Sequence, residues 1–298
     1  MKKFLLTLCV VALAAPLYAQ QTAPAAATPP KNDKIAPPLA YAAEALKESP
    51  RHGEFVDIAM PDGTKLNSWV VYPERAEKVG VVLVIFDIFG MGDWPRAVGD
   101  QIAKDGFIAI VPDLLSGKGP KGGGSDDVAS AGSTAIGQTI RTLTDADVAA
   151  RLDAAMAYGR KLPASNGKTG VVGFCWGGDR SFAYAAAQPA LSAAVVYYGQ
   201  VPQIGGRPGV VNEEAVARIT APVIGFYGGT DSRVNQTIEP AKAAMSKLGK
   251  SYEPHIFEGA GHGFLRSQTG PAGDPTANYR ASEQAWPLTI KFFQKHLK

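Results

Sequence analysis

From Gly53 onward the chain alternates. EFVDIAM at 54–60 and KLNSWVVYP at 65–73 interleave apolar and polar residues on either side of Pro61-Asp62-Gly63, which predicts two half-buried strands joined by a turn as an antiparallel hairpin. Further on, the alternation gives way to continuous apolar and β-branched runs: VVLVIF at 81–86, FIAIV at 107–111, TGVVGF at 169–174, AAVVYY at 193–198 and PVIGFY at 222–227. Such runs suit strands covered on both faces of a parallel sheet, and SYEPHIF at 251–257 reads as a last strand. The stretches near 94–105, 144–161, 177–188, 236–249 and 276–297 carry helical spacing. Strand and helix in alternation predict an α/β fold, a three-layer α/β/α sandwich with a mostly parallel sheet.

Two connections interrupt this rhythm, each after a predicted strand end. Residues 118–143 begin KGPKGGGSDD and continue with small and polar residues; residues 199–218 read GQVPQIGGRPGVVNEEAVAR. Ligands of open parallel sheets bind outside the carboxyl ends of the strands, so both are placed to border a site, the first as a mobile lid or as a surface insertion. Gly122-Gly123-Gly124 lacks the Lys-Ser/Thr pair of a phosphate loop and reads as a hinge or linker.

Ahead of the alternating region lie two segments of different character. Residues 1–19, MKKFLLTLCVVALAAPLYA, join a basic start at Lys2 and Lys3 to an apolar run ending before a small residue. That is the pattern of a secretory signal peptide, and the run is shorter than a membrane span. Residues 20–40 are rich in Ala, Pro and Thr, a composition that predicts a flexible tether. Residues 41–298 form the expected catalytic domain, soluble and exported to a bacterial periplasm or secreted.

Loss of the leader lowers the formal charge from +3 to +1, because Lys2 and Lys3 leave with it, and no nucleic-acid footprint remains. Cys9 leaves too, so Cys175 becomes the sole thiol in a compartment that favours disulfides. No His or Cys cluster has metal-ligand spacing, and no cofactor motif is present.

Cys175 sits in Gly173-Phe174-Cys175-Trp176-Gly177-Gly178, between the run TGVVGF and the helical RSFAYAAAQ. This is the cysteine counterpart of the nucleophile elbow G-x-S-x-G: a sharp strand-to-helix turn needs small neighbours and leaves the side chain at a helix N-terminus, whose dipole favours a thiolate. A thiol nucleophile needs a histidine to take its proton and a carboxylate to orient that histidine. Asp231, in YGGTDSR just past PVIGFY, and His262, in GAGHGF past the last predicted strand, supply them in the order nucleophile, acid, histidine. Asp113 also follows a predicted strand but precedes the nucleophile, and His52, His255 and His296 lack a comparable loop setting. A lone thiol is also compatible with a redox or sensor protein that forms mixed disulfides, and the fold with a binding module that catalyses nothing.

Together GFCWGG, YGGTD and GAGHGF resemble the dienelactone hydrolase family, over a region from about Glu54 to the C-terminal helix with Trp286 and Phe292. The resemblance implies an α/β-hydrolase fold and a Cys175-His262-Asp231 triad that cleaves a small ester or lactone through an acyl-cysteine. It further implies an oxyanion hole made of the backbone N–H groups of Ile88 and Trp176. In Phe86-Asp87-Ile88-Phe89-Gly90, Asp87 stands where the family has a glutamate that helps form the thiolate. Of two substrate-binding arginines, Arg266 matches one; the other is replaced around Leu115-Ser116-Gly117, where Lys118 is the candidate substitute.

Overall fold

The structure, a computed structural model, describes residues 28–205, 207, 209–270, 274 and 276–298. The expected signal peptide at 1–19 and the first part of the expected tether lie outside the described residues.

The alternating stretches form β1 (Gly53–Ala59) and β2 (Lys65–Val71), paired antiparallel from Gly53↔Val71 to Ala59↔Lys65. Gly63 turns the chain between them at φ 82°, in the left-handed region that glycine enters without a side-chain clash. The continuous runs become β3 (Val79–Ile85), β4 (Ile108–Pro112), β5 (Ser165–Phe174), β6 (Ala193–Tyr197), β7 (Val223–Gly228) and β8 (Tyr252–Phe257). They assemble into one eight-stranded sheet in the order β1-β2-β4-β3-β5-β6-β7-β8, antiparallel at β1/β2 and β2/β4 and parallel elsewhere. Every residue of β3, β4, β6 and β7 is buried, as their unbroken apolar sequences require, whereas β8 at the far edge is half-exposed. The expected three-layer sandwich is therefore present.

Ten residues at 39–48 form α1 (Leu39–Glu48), followed along the chain by α2 (Asp93–Lys104), α3 (Ser125–Ala129), α4 (Ala135–Ile140), α5 (Asp145–Lys161) and α6 (Trp176–Ala187). After these come α7 (Glu213–Ala217), α8 (Ser232–Asn235), α9 (Ile238–Lys247), α10 (Phe264–Ser267) and α11 (Ala277–Leu297). Helices α5 and α6 pack together on β3 and β5, while α2 lies on β2, β3 and β4, and α11 on β5, β6 and β7. Helix α5 starts at a capping box in which Thr144 and Asp147 bond each other's backbone N–H, satisfying two otherwise orphaned donors.

Two expectations are corrected. The tether does not extend to residue 40: Ile35 and Ala36 are 3% and 0% exposed, the Gln268 side-chain amide donates to the Ala36 carbonyl at 2.7 Å, and the Trp94 indole donates to the Pro37 carbonyl at 3.0 Å. Composition predicted disorder there, but two buried side chains and distant polar partners tie the segment down. Residues 118–143 are likewise anchored, with Val128, Ile136 and Ile140 buried. Gly122 to Gly124 is no hinge, because the Asp127 carboxylate accepts from the N–H groups of Lys121 and Gly123 at 2.8 and 2.9 Å and closes the loop.

What this architecture does for function is align strand ends. The ladders Ile85↔Gly173, Phe174↔Tyr197, Tyr197↔Phe226 and Gly228↔Phe257 bring the carboxyl ends of β3, β5, β6, β7 and β8 to one edge. Asp87, Cys175, Tyr198, Asp231 and His262 all follow those ends.

Candidate active site

Cys175 is the residue between β5 and α6, at φ 56° and ψ −116°. A non-glycine residue in that region is strained by roughly 1–3 kcal/mol and persists only where its surroundings enforce it. They do so here by close approach. A methyl group on Gly173 would meet the Gly177 carbonyl oxygen at 1.9 Å, one on Gly177 would meet the Ile85 and Phe86 carbonyl oxygens at 2.4 and 2.3 Å, and one on Gly178 would meet the Tyr197 carbonyl oxygen at 2.5 Å. The elbow is wedged between β3 and β6, and the Cys175 backbone N–H donates to the Tyr197 carbonyl at 3.1 Å.

Asp231 and His262 come from loops that are stitched to each other. The Thr230 backbone N–H and hydroxyl both donate to the Ala260 carbonyl at 3.0 and 2.9 Å, and the Asn278 side-chain carbonyl accepts from the Gly261 N–H at 2.8 Å. The His262 Nδ1 donates to the Asp231 Oδ2 at 2.5 Å, which leaves Nε2 for Cys175. Burial alone would lower the His262 pKa, but its hydrogen bond to the Asp231 carboxylate and the influence of Cys175 outweigh it and hold the imidazole up to about 9. Burial would raise the Asp231 carboxyl, and its bond with His262 draws it below the usual carboxylate range instead. The imidazole is thus paired with a carboxylate and biased toward its charged form.

The two backbone N–H groups expected to face a carbonyl oxygen are those of Ile88, in the loop after β3, and Trp176, next to Cys175 in the chain. Trp176 opens α6, whose first N–H groups have no intrahelical acceptor, and among the described residues neither N–H has a protein partner. Asp87 lies under the same loop, 4% exposed. It accepts from the Phe89 N–H at 3.0 Å and pairs with Arg266 Nη1 at 3.2 Å. Burial pushes the Asp87 carboxyl up, and Arg266 acts against that shift. The Arg266 guanidinium lies 4.4 Å from the Phe89 ring centroid and 5.3 Å from that of Trp94.

The dienelactone hydrolase family profile matches residues 66–297. The chain belongs to the dienelactone hydrolase family. A protein of Methylorubrum extorquens, provisionally named carboxymethylenebutenolidase, is 30% identical over 250 residues, which span 81% of this chain and 80% of that one. A Synechocystis protein of the same provisional name is 27% identical over 240 residues, 78% of this chain and 93% of its own. Among solved structures, a Klebsiella pneumoniae protein provisionally named dienelactone hydrolase aligns with a TM-score of 0.68 at 23% identity over 83% of this chain and 99% of that one. An acylaminoacyl peptidase from Pyrococcus horikoshii shares the fold, with a TM-score of 0.63 at 16% identity over 87% of this chain and 44% of that one. This family member is accordingly a hydrolase on the α/β-hydrolase fold.

Two other sequence candidates have partners of their own. Lys118 is exposed and contributes to lowering the carboxyl of Asp147 at the start of α5. Asp113 is structural: it accepts from the Ser125 N–H and hydroxyl at 2.6 and 2.7 Å. Ser125 in turn accepts from the Met91 N–H at 2.9 Å, so this pair fastens residues 118–143 to the loop that carries Asp87 and Ile88.

Sequence reasoning missed two residues in the site. Tyr198, at φ 42°, is 2% exposed, packs edge-on against the His262 ring at 5.1 Å, and burial pushes its hydroxyl well above the ordinary range. Its position at the end of the run AAVVYY, before Gly199, was the available signal. Asp179, one helical turn beyond Cys175, accepts from the Gln200 N–H at 2.6 Å, and burial pushes its carboxyl up to about 6. It ties the connection after β6 to the elbow helix.

Proposed function

We propose that this protein hydrolyses a carboxylic ester or lactone with a Cys175-His262-Asp231 triad through an acyl-cysteine intermediate. The observation that carries this reading is His262 held between the Asp231 carboxylate and the thiol of a strained elbow. The Cys175 sulfur attacks the carbonyl carbon, and the N–H groups of Ile88 and Trp176 receive the carbonyl oxygen as it gains charge. As the tetrahedral adduct collapses, the C–O bond breaks and His262 gives its proton to the departing alkoxide. In a lactone that alcohol stays on the acyl chain.

The thiol proton passes to His262 before attack, and acylation turns the resulting thiolate into a neutral thioester, removing the negative charge that helped hold the proton on His262. The imidazole then becomes a better base and takes a proton from water, whose oxygen attacks the thioester and releases the acid. Asp231 keeps the ring oriented through both halves.

A pH profile tests this directly. With His262 held up to about 9, the proton for the leaving group is present at neutral pH and lost as pH rises through about 9. The same raised pKa stabilises the folded state fully below its ordinary 6.5, and that contribution disappears through about 9. kcat/KM for an unactivated alkyl ester such as ethyl butanoate, whose alkoxide must be protonated to leave, is therefore expected to fall on an alkaline limb near 9. Asp231→Asn removes the strongest hold on the proton and moves that limb down by about a unit or more. Absence of turnover, or a limb that stays in place in Asp231→Asn, contradicts the proposal.

A further inference from the structure

We propose that Tyr198 is a catalytic residue whose phenol hydroxyl donates a hydrogen bond to the substrate carbonyl oxygen as the Cys175 sulfur attacks. The inference rests on the hydrolase reading above and adds a third donor to the backbone N–H groups of Ile88 and Trp176. Two features that destabilise a fold meet in this one residue. Tyr198 is 2% exposed, and among the described residues its hydroxyl oxygen has no hydrogen-bond partner. A buried hydroxyl left unpaired has lost its hydration without compensation, so such groups are rare and call for a reason such as a catalytic role. Its backbone stands at φ 42°, in the left-handed region that a bulky residue keeps only where its surroundings enforce it.

The elbow and β7 do the enforcing. Phe174 is the register partner of Tyr197, so Cys175 and Tyr198 leave neighbouring strands side by side. The Tyr198 N–H donates to the Phe226 carbonyl at 2.8 Å, and the Cys175 N–H to the Tyr197 carbonyl at 3.1 Å. A methyl group on Gly199 would lie 2.2 Å from the Gly178 carbonyl carbon and 2.5 Å from the Asp179 nitrogen, so the chain leaving Tyr198 is pressed onto the start of α6. The ring is fixed in turn, edge-on to His262 at 5.1 Å and to Phe264 at 5.4 Å.

Burial pushes the Tyr198 hydroxyl well above its ordinary range, and Asp87 and Cys175 act in the same direction. The group therefore stays a neutral donor through the working pH range. The described residues offer it no acceptor, but the reaction creates one. As the C–S bond forms, the carbonyl π pair moves onto oxygen, while the thiol proton is already on His262. Tyr198 gives up no proton; its hydrogen bond strengthens as that oxygen becomes charged.

Tyr198→Phe removes only the hydroxyl oxygen. With 4-nitrophenyl butanoate its kcat is expected to fall by about tenfold to a hundredfold while KM stays within about twofold. The urea midpoint is expected to hold or rise, because an unpartnered hydroxyl is no longer buried; a hydroxyl with a structural task would lower it. The thiono analogue of the same ester, with C=S in place of C=O, identifies the accepting atom, since sulfur is a weak acceptor. Wild-type preference for the oxo ester is expected to shrink in Tyr198→Phe by about the factor lost in kcat. A kcat within about threefold of wild type overturns the inference, as does an unchanged oxo-to-thiono preference or a lowered urea midpoint.

If the wild type cleaves neither ester, the hydrolase reading fails, and the donor is read separately from reversible capture of a trifluoromethyl propyl ketone by Cys175. That adduct carries the charged oxygen but has no leaving group. Tyr198→Phe is expected to weaken capture about tenfold or more. Equal affinity in the two proteins, or no capture by the wild type, rejects the donor.

Discussion

Cys175→Ala is expected to lower kcat/KM for small activated esters by roughly 10⁴-fold or more while leaving the unfolding midpoint within a degree or two of wild type. The activity loss is large because the partners have no other task. His262 is oriented by Asp231 toward this one sulfur, and without it water must attack directly, helped only by the hydrogen-bond donors and by binding. The stability change is small because the thiol is half-buried and alanine removes a single heavy atom. Turnover that survives the substitution within tenfold would show that another group is the nucleophile, and a collapse of the unfolding midpoint would show that the residue is structural.

Gly173→Ala is expected to have the largest effect on the fold of any single methyl added near the site. The new carbon would lie 1.9 Å from the Gly177 carbonyl oxygen, 2.4 Å from its carbonyl carbon and 2.5 Å from the Ser181 hydroxyl oxygen. Two of those three atoms belong to backbone, which cannot rotate away as a long side chain would. Overpacking of a well-filled core costs about 1–3 kcal/mol and more where backbone must move, and here the movement opens the strained turn that presents Cys175. The expected outcome is a drop in the urea midpoint together with a loss of Cys175 reactivity. Gly137→Ala is the control: nothing lies within 4 Å of its added carbon, the residue is inside α4, and alanine there is expected to be neutral or to stabilise by about 0.5–1 kcal/mol. Equal behaviour of the two variants would remove close approach as the reason the elbow holds its shape.

Much of this site was legible because its signals are local. The runs that became β3 to β7 are uninterrupted and each is short, so burial on both faces was readable from the residues themselves. Gly173, Gly177 and Gly178 announced a close strand-to-helix turn, and YGGTD and GAGHGF each follow a strand end at which parallel topology makes the carboxyl edge. What stayed hidden depends on partners far away in the chain. The stretch around Ile35 and Ala36 reads as tether, yet it is held by Gln268, 232 positions along. The Asp87–Arg266 pair joins loops after β3 and β8, and no feature of either loop announces the other. Lys118 was named only as a substitute for an arginine that the family resemblance implies, and in the structure it is exposed. Composition gives the sign of a side chain and not the direction in which it turns.

The central claim is covalent chemistry at one sulfur, and the measurement closest to it is the intact mass of the protein quenched in acid during turnover of a 4-nitrophenyl ester, followed by peptide mapping. The account predicts a mass gain equal to the acyl group, located on the peptide containing Cys175, removed by neutral hydroxylamine as a thioester is, and absent from Cys175→Ala. An acyl group found on another residue, or an adduct on wild type that Cys175→Ala forms equally well, would contradict it.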